Sequence, residues 1–321
     1  MIPTSIEKLF YGSRIKVEKR ADNYDVYSMK KHGIMTSYHV MNGIDIIYND
    51  MHVQHACVDL KPPEGYFEIN HCLEGRIECA FTNGEYTYIS KNDLSISIKN
   101  GSCRQSYFPV GYYYGITIRI EIDKAQNEID DFFEDHSIDL KKLITGFCIC
   151  GGNNNGFCIM RANKSIEHIF AELYSVPDKI RMNYYKIKVL EVLMFLSALD
   201  VTTKEKRTYF SKDNVEKVKN IQELITKNIG KKYTLDALSK NYDISLTTMK
   251  KCFKEMFGTS IYSYIRQQKI QKAAELLIKT ESNILDIANC VGYNNGSKFA
   301  AAFKDIIGIS PKEYRKNNMY R

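Results

Sequence analysis

Asp236–Gly258 reads DALSKNYDISLTTMKKCFKEMFG, and Asp286–Gly308 reads DIANCVGYNNGSKFAAAFKDIIG. Set against each other at an offset of 50, Asp236 meets Asp286, Met249 meets Phe299, Phe253 meets Phe303, Lys254 meets Lys304 and Gly258 meets Gly308. The match continues with Ser260 against Ser310 and Tyr264 against Tyr314. In the first copy Thr234 precedes a short apolar-periodic run with Asp236 in its first turn, which predicts a capped helix over 235–240. Asn241-Tyr242-Asp243 reads as a turn, and Ser245 as the N-cap of a helix over 246–256. Helix, short turn, helix is the helix-turn-helix layout. Phe253 and Phe303 fall on the core side of that second helix. Gly258 and Gly308 fall where a C′ residue needs positive φ. Gly292-Tyr293 supplies the turn of the second copy.

Between the copies, Tyr262–Lys279 (YSYIRQQKIQKAAELLIK) holds neither Pro nor Gly and repeats apolar residues at helical spacing, which predicts one continuous helix. At ~1.5 Å per residue it is about 25 to 27 Å long. Readers placed on one face of B-DNA need to stand about 34 Å apart. A stiff rod of that length with a recognition helix beyond each end sets two readers one turn apart. Upstream, Asn214–Lys227 carries Val215, Val218, Ile221, Leu224 and Ile225, an amphipathic helical face.

The stretch Ile284–Arg315 (ILDIANCVGYNNGSKFAAAFKDIIGISPKEYR) resembles the AraC/XylS-type DNA-binding domain. It keeps the family's Ile287, Ala288, Val291, Gly292, Phe299, Phe303, Lys304, Gly308, Ser310, Pro311, Tyr314 and Arg315, with Tyr293 in place of the usual Phe. The resemblance covers the last third of the chain. It implies that the first copy contacts double-stranded promoter DNA through Ser245, Thr247, Thr248, Lys250 and Lys251. In the second copy it implies Asn295, Ser297 and Lys298. There the sequence departs from the family, because Ala300 and Ala301 stand where polar or Arg side chains often reach bases. Alanine touches a thymine methyl but donates no hydrogen bond. The first helix is therefore expected to dominate base readout and the second to position.

The net charge of +7 is unevenly spread. Residues 211–321 hold 20 Lys and Arg against 11 Asp and Glu, whereas residues 1–210 hold 25 against 27. Positive charge gathered in one third favours a polyanionic partner there. The length of 321 residues fits two or three domains, and 44% hydrophobic residues exclude wholesale disorder. Met1–Phe10 has no apolar signal-like region, and no stretch approaches ~18 uninterrupted apolar residues, so a cytoplasmic location is expected. Nine cysteines, an odd number, fit reduced thiols.

Residues 10–122 have a strand-like texture. Tyr66–Ile69, Arg76–Phe81, Glu85–Ile89, Leu94–Ile98 and Tyr113–Ile120 are β-branched and aromatic runs divided by turn residues. Asn83-Gly84 between two alternating runs predicts a hairpin. The stretch Leu73–Ile96 resembles the cupin-like sensor barrel of many bacterial regulators. From about 123 the period becomes helical, and Asp178–Asp200 carries apolar residues on more than one face: Ile180, Ile187, Leu190 and Met194, and Val189, Leu193 and Leu196. Such a helix has two surfaces to cover, one on its own barrel and the other either on a second subunit, the expected homodimer, or by burial within the same chain. Thr202–Lys212 reads as a linker.

The expected fold is therefore multidomain α+β. Residues 1–125 form a cupin-like barrel, 126–208 a helical dimerisation and linker region, and 209–321 an all-α domain with two helix-turn-helix units. All seven histidines precede the DNA-binding part, but the His-x-His of metal-binding cupins is absent, so no metal or cofactor is expected. Cys148, Cys150 and Cys158 read as thiols around a GGNNNG loop. Tyrosines at 66, 86, 88, 107 and 112–114 offer an aromatic lining for a small molecule. The expected function is a sequence-specific transcription regulator, with activation and contact to RNA polymerase implied by the family resemblance, and a small-molecule effector of unknown identity. The alternatives are a regulator without ligand, controlled by a partner protein or by abundance, and a cupin-type metalloenzyme.

Overall fold

Strand β10 (Tyr113–Glu121) is buried along nearly its whole length, on both faces. Its even-numbered isoleucines, Ile116, Ile118 and Ile120, join a core shared with helices. Tyr113 points the other way, into a second core between two sheets. This two-sided burial organises the N-terminal unit, Met1–Tyr209. The computed structural model describes residues 3–4, 7–8, 10, 15–29, 33–55, 63–98, 103–133, 138–150, 156–162, 164–199 and 208–318.

The strands are β1 (Ile15–Arg20), β2 (Tyr24–Met29), β3 (Gly33–Met41), β4 (Ile44–Met51), β5 (Tyr66–Gly75), β6 (Ile77–Phe81), β7 (Glu85–Ile89), β8 (Asp93–Ile98), β9 (Cys103–Tyr107), β10 and β11 (Phe157–Arg161). The larger sheet runs β1-β2-β3-β4-β10-β5-β8-β11, and a second sheet contains β7-β6-β9 in that order. Neighbours in both pair antiparallel. The predicted hairpin at Asn83-Gly84 is present. Gly84 takes φ 83° and its N–H donates to the Phe81 carbonyl at 3.0 Å, closing β6 onto β7.

Helices α1 (Ile122–Phe132), α2 (Leu140–Cys150), α3 (Lys164–Leu173) and α4 (Arg181–Ser197) share the core of the larger sheet through Ile129, Phe147, Phe170, Val189 and Leu193. β11 sits inside the stretch that the sequence pattern marks as helical. The expected helix from 178 begins as a 3-10 turn, Asp178–Ile180, and becomes α-helical at Arg181. Tyr185, Val189, Val192, Leu193 and Leu196 of α4 are buried, while Ile187 is 59% and Met194 50% exposed. The helix is thus apolar on a covered face and on an uncovered one.

The face of the larger sheet that carries Tyr113 also carries a run of paired polar side chains. The Thr117 hydroxyl donates to Asn70 Oδ1 at 2.7 Å, Asn49 Nδ2 donates to Thr117 at 3.0 Å, and Arg119 Nε donates to Glu68 at 3.2 Å. Beside them lies a cavity of about 240 Å³ whose lining includes Glu7, Phe10, Asp25, His39, Tyr66 and Arg119. Tyr27 donates to Glu7 at 2.8 Å, and Arg20 bonds both Glu7 and Asp25. His39 lies between Asp45 (2.9 Å) and Asp25 (3.3 Å). The Asp45 hydrogen bond outweighs partial burial and raises the His39 pKa.

The C-terminal unit, Phe210–Arg321, is helical. It contains α5 (Lys212–Lys227), α6 (Leu235–Asn241), α7 (Leu246–Phe257), α8 (Ile261–Lys279), α9 (Ile284–Cys290), α10 (Gly296–Ile307) and α11 (Pro311–Asn318). Six of these helices start on a side-chain cap. Ser211, Thr234, Ser245, Ser260, Asn283 and Asn295 each accept the backbone N–H three residues on, which meets one of the unpaired donors of a first turn. Ser310 and Glu313 form a reciprocal capping box on the seventh.

Candidate nucleic-acid interface

The two copies superpose in their chemistry. Helices α7 and α10 both have 12 residues, and both end on glycine in the left-handed region, Gly258 at φ 77° and Gly308 at φ 90°. Phe253 meets Tyr264 with ring centroids 5.4 Å apart at 75°, and Phe303 meets Tyr314 at 5.4 Å and 71°. Those tyrosines were legible only as matched letters in the repeat; each fastens its recognition helix to the helix that follows.

The uniform offset of 50 holds for the recognition helices and their caps but not for the helices before them. Thr234 and Asn283 are the equivalent caps there, and α6 and α9 both span seven residues. The second turn is therefore one residue longer. The first turn is made by Asp243 at φ 47°, the second by Gly292 at φ 82°. Asp236 and Asp286, aligned by letter, occupy the second and third helical positions of their respective helices. Both still sit in a first turn, where an acid favours the helix dipole.

On α7, Met249, Cys252, Phe253, Met256 and Phe257 are buried. Thr247, Lys250, Lys251 and Lys254 are exposed. Their spacing of i, i+3, i+4, i+7 makes one stripe along the helix. Ser245 and Thr248 are differently employed. The Ser245 oxygen accepts the Thr248 N–H at 3.1 Å, and its hydroxyl donates to Thr248 Oγ1 at 2.8 Å, so both serve the cap first. Lys254, at the far end of the stripe, was read from sequence only as a partner of Lys304.

On α10 the same stripe is Ser297, Ala300, Ala301 and Lys304. Lys298 is exposed beside it, and Asn295 is the cap, accepting the Lys298 N–H at 2.9 Å. The second face therefore carries fewer donors than the first. Between them α8 runs 19 residues without a break, about 28 Å.

A helix-turn-helix domain model matches residues 238–317. The C-terminal unit is an AraC-type helix-turn-helix domain. Among curated proteins, the chain is 37% identical over 96 residues to the bifunctional transcriptional activator/DNA repair enzyme AdaA of Bacillus subtilis, covering 30% of this chain and 46% of AdaA. It is 24% identical over 258 residues to the transcriptional activator AggR of Escherichia coli, covering 72% of this chain and 90% of AggR. Among solved structures, the C-terminal domain of AraT, a response regulator from Geobacillus stearothermophilus, matches 32% of this chain and 86% of its own at 32% identity, with a TM-score of 0.31. The chain spans less than half the length of the first curated relatives it matches, 46%, 36% and 34%. Both halves of the AraC-type domain, α6–α7 and α9–α10, fall inside the matched residues apart from the first three positions of α6.

No metal-ligating cluster of His, Cys, Asp and Glu exists among the described residues. His71 is instead stacked on Phe170 at 4.5 Å, His52 pairs with Asp50, and His55 lies against Tyr107. Cys57, His32, His136 and residues 151–155 lie outside the described residues, as do the side chains of Cys148 and Cys150. No helix among the described residues is long and apolar enough to cross a membrane.

Proposed function

We propose that the protein is a sequence-specific regulator of transcription that binds promoter DNA in two consecutive major grooves. The observation that carries this is the pairing of α7 and α10. They are equal in length, capped alike and stopped alike, and each presents one four-position stripe, fully exposed on α7 and with Ala300 half-buried on α10, at an end of the rigid α8. Thr247, Lys250 and Lys251 are the readers, with Lys254 extending the stripe toward the backbone. Lysine donates to guanine O6/N7 or to phosphate, so its share of specificity and of general attraction is measured only by substitution. Ser245, Thr248 and Asn295 fix the helix starts, and Ser297 and Lys298 position the second helix.

The regulator acts as a homodimer through α4 and the 3-10 turn that leads into it. Ile180, Tyr184, Ile187, Glu191 and Met194 step by 4 and 3, the spacing of a two-helix seam. Three of the five are exposed apolar side chains. The cavity beside Arg119 accepts a small polar molecule, the effector, which acts only if it binds the two arrangements of the dimer with different affinity. Regulation without a ligand is favoured by one observation: Glu7, Asp25, Asp45 and Glu121 around that cavity are already bonded within the chain. The names of AdaA and AggR support activation, and an activator requires a contact to RNA polymerase.

Footprinting of the full chain on DNA upstream of its own and neighbouring genes tests the reading. Salt-sensitive protection in two patches about one helical turn apart is the expected result. Protection of a single patch, or binding insensitive to salt, overturns it. A thermal-shift screen of the full chain against metabolites and metals decides between the liganded and unliganded forms.

A further inference from the structure

Lys269 lies on the inner side of α8 and is only 8% exposed. Its Nζ stands beside the turn that leads into the second recognition helix. A Cβ placed on Gly292 would sit 2.6 Å from that nitrogen and would overlap the Gly230 carbonyl. The loop carrying Gly230 therefore closes over the same turn, and it brings Lys232 with it. Burial depresses the Lys269 pKa, and the charge of Lys232 adds to the effect.

Neither lysine has a carboxylate partner among the described residues. One turn earlier Arg266 is paired with Asp305 at 2.7 Å, so the contrast is local. What Lys269 has within the chain is the Tyr293 ring at 5.8 Å from its nitrogen, at the outer limit of a cation–π contact. An ammonium removed from water beside a second ammonium is costly unless an anion answers it.

The location indicates which anion. Gly292 is three residues before Asn295, the cap of α10, so whatever Lys269 holds lies at the entry of that helix. The stripe of α10 has Ala300 and Ala301 at its centre and little of its own to grip a polyanion. We propose that Lys269 and Lys232 form a phosphate-binding pair, contributed from outside the second helix-turn-helix, that clamps a backbone phosphate of the bound duplex and so seats α10 in its groove. The inference rests on the DNA-binding reading and adds two residues that neither recognition helix contains.

The test uses the full chain and a duplex recovered by the protein from a random pool, with affinity measured from 50 to 200 mM KCl. Lys269→Met and Lys232→Met are each expected to reduce the slope of log affinity against log salt by about 0.9, so that the loss of affinity over that fourfold range shrinks roughly 3.5-fold per lysine. Protection at the α10 half of the footprint weakens while the α7 half persists. The melting temperature of Lys269→Met holds or rises, because a buried unpaired charge is removed, and Lys269→Gln gives the same slope without the added apolar surface. An unchanged slope and footprint in the double variant overturns the proposal. A melting temperature raised by inorganic phosphate at matched ionic strength, lost in Lys269→Met with no change in the DNA slope, assigns the pair to free phosphate and also overturns it. If the wild type binds no duplex, or Lys251→Ala binds as the wild type does, the DNA reading itself has failed.

Discussion

Arg266 on α8 reaches Asp305 on α10 with Nη2 and Oδ2 2.7 Å apart. The pair ties the connecting rod to the back of the second recognition helix. Both side chains are open to solvent, so the contact is screened and contributes little to global stability. Its effect is on orientation. Asp305→Asn is expected to leave the melting temperature nearly unchanged while lowering affinity for duplex DNA. A drop in melting temperature together with unchanged affinity would assign the pair to stability alone.

Two glycines separate steric from conformational cost. Gly308 takes φ 90° with nothing within 4 Å of a would-be Cβ, so Gly308→Ala costs only the left-handed conformation, about 1 to 2 kcal/mol. Gly292 takes φ 82° and has the Gly230 carbonyl and Lys269 Nζ in the way. Gly292→Ala is expected to be the more destabilising of the two in chemical denaturation, because the loop over the turn has to move.

The two stripes predict unequal roles. Lys251→Ala is expected to cost about 1 to 3 kcal/mol of binding and to lower the salt slope by about 1. Ala300→Arg is expected to leave sequence preference nearly unchanged. Binding-site selection with both variants checks this; a preference rewritten by Ala300→Arg and untouched by Lys251→Ala reverses the ranking.

The helical half was legible almost residue by residue, because its signals are local. Ser245 and Thr234 announce helix starts, and Gly258 and Gly308 announce stops, without reference to anything distant. The extra residue in the second turn was not legible, because Asp236 and Asp286 match at the wrong offset and only the hydrogen-bonded caps reveal the right one. The sheet was harder. The polar ladder of Asn49, Asn70 and Thr117 interrupts the alternation by which strands are recognised, and its logic lies in cross-strand partners far apart in sequence. β11 is a short run inside helical texture, and its place depends on pairing with β8. Lys269 reads as one more lysine on a helix until Gly230 and Gly292 are seen to enclose it.

The exposed side of α4 makes oligomeric state a measurable consequence. Ile187→Asp places a charge at the centre of the 4-and-3 stripe and is expected to weaken self-association at least about tenfold, about 1.4 kcal/mol. Sedimentation of the full chain across a concentration series measures it. An unchanged sedimentation coefficient at every concentration removes α4 from the interface.

His71 makes the N-terminal unit acid-sensitive. Burial against Phe170 lowers its pKa from 6.5 to about 4. The folded form therefore resists a proton that the unfolded chain accepts. Its contribution is complete above about pH 6.5, falls as pH drops, and is gone below about 4, a loss on the order of 3 kcal/mol. His39, whose pKa is raised, acts in the opposite sense and does not account for the loss. His71→Phe is expected to flatten the stability profile of the unit across that window; a profile as steep as the wild type's places the acid sensitivity elsewhere.

The side-chain caps of the C-terminal unit have a consequence for how such a protein changes its target. Each helix there is begun by its own Ser, Thr or Asn, and α7 and α10 each stop on a glycine. Thr247, Lys250 and Lys251, exposed on α7, are thereby released from any duty in holding the scaffold. On the proposed reading, a few substitutions at these addresses are expected to redirect the protein to a different operator while the frame that carries them is left as it was.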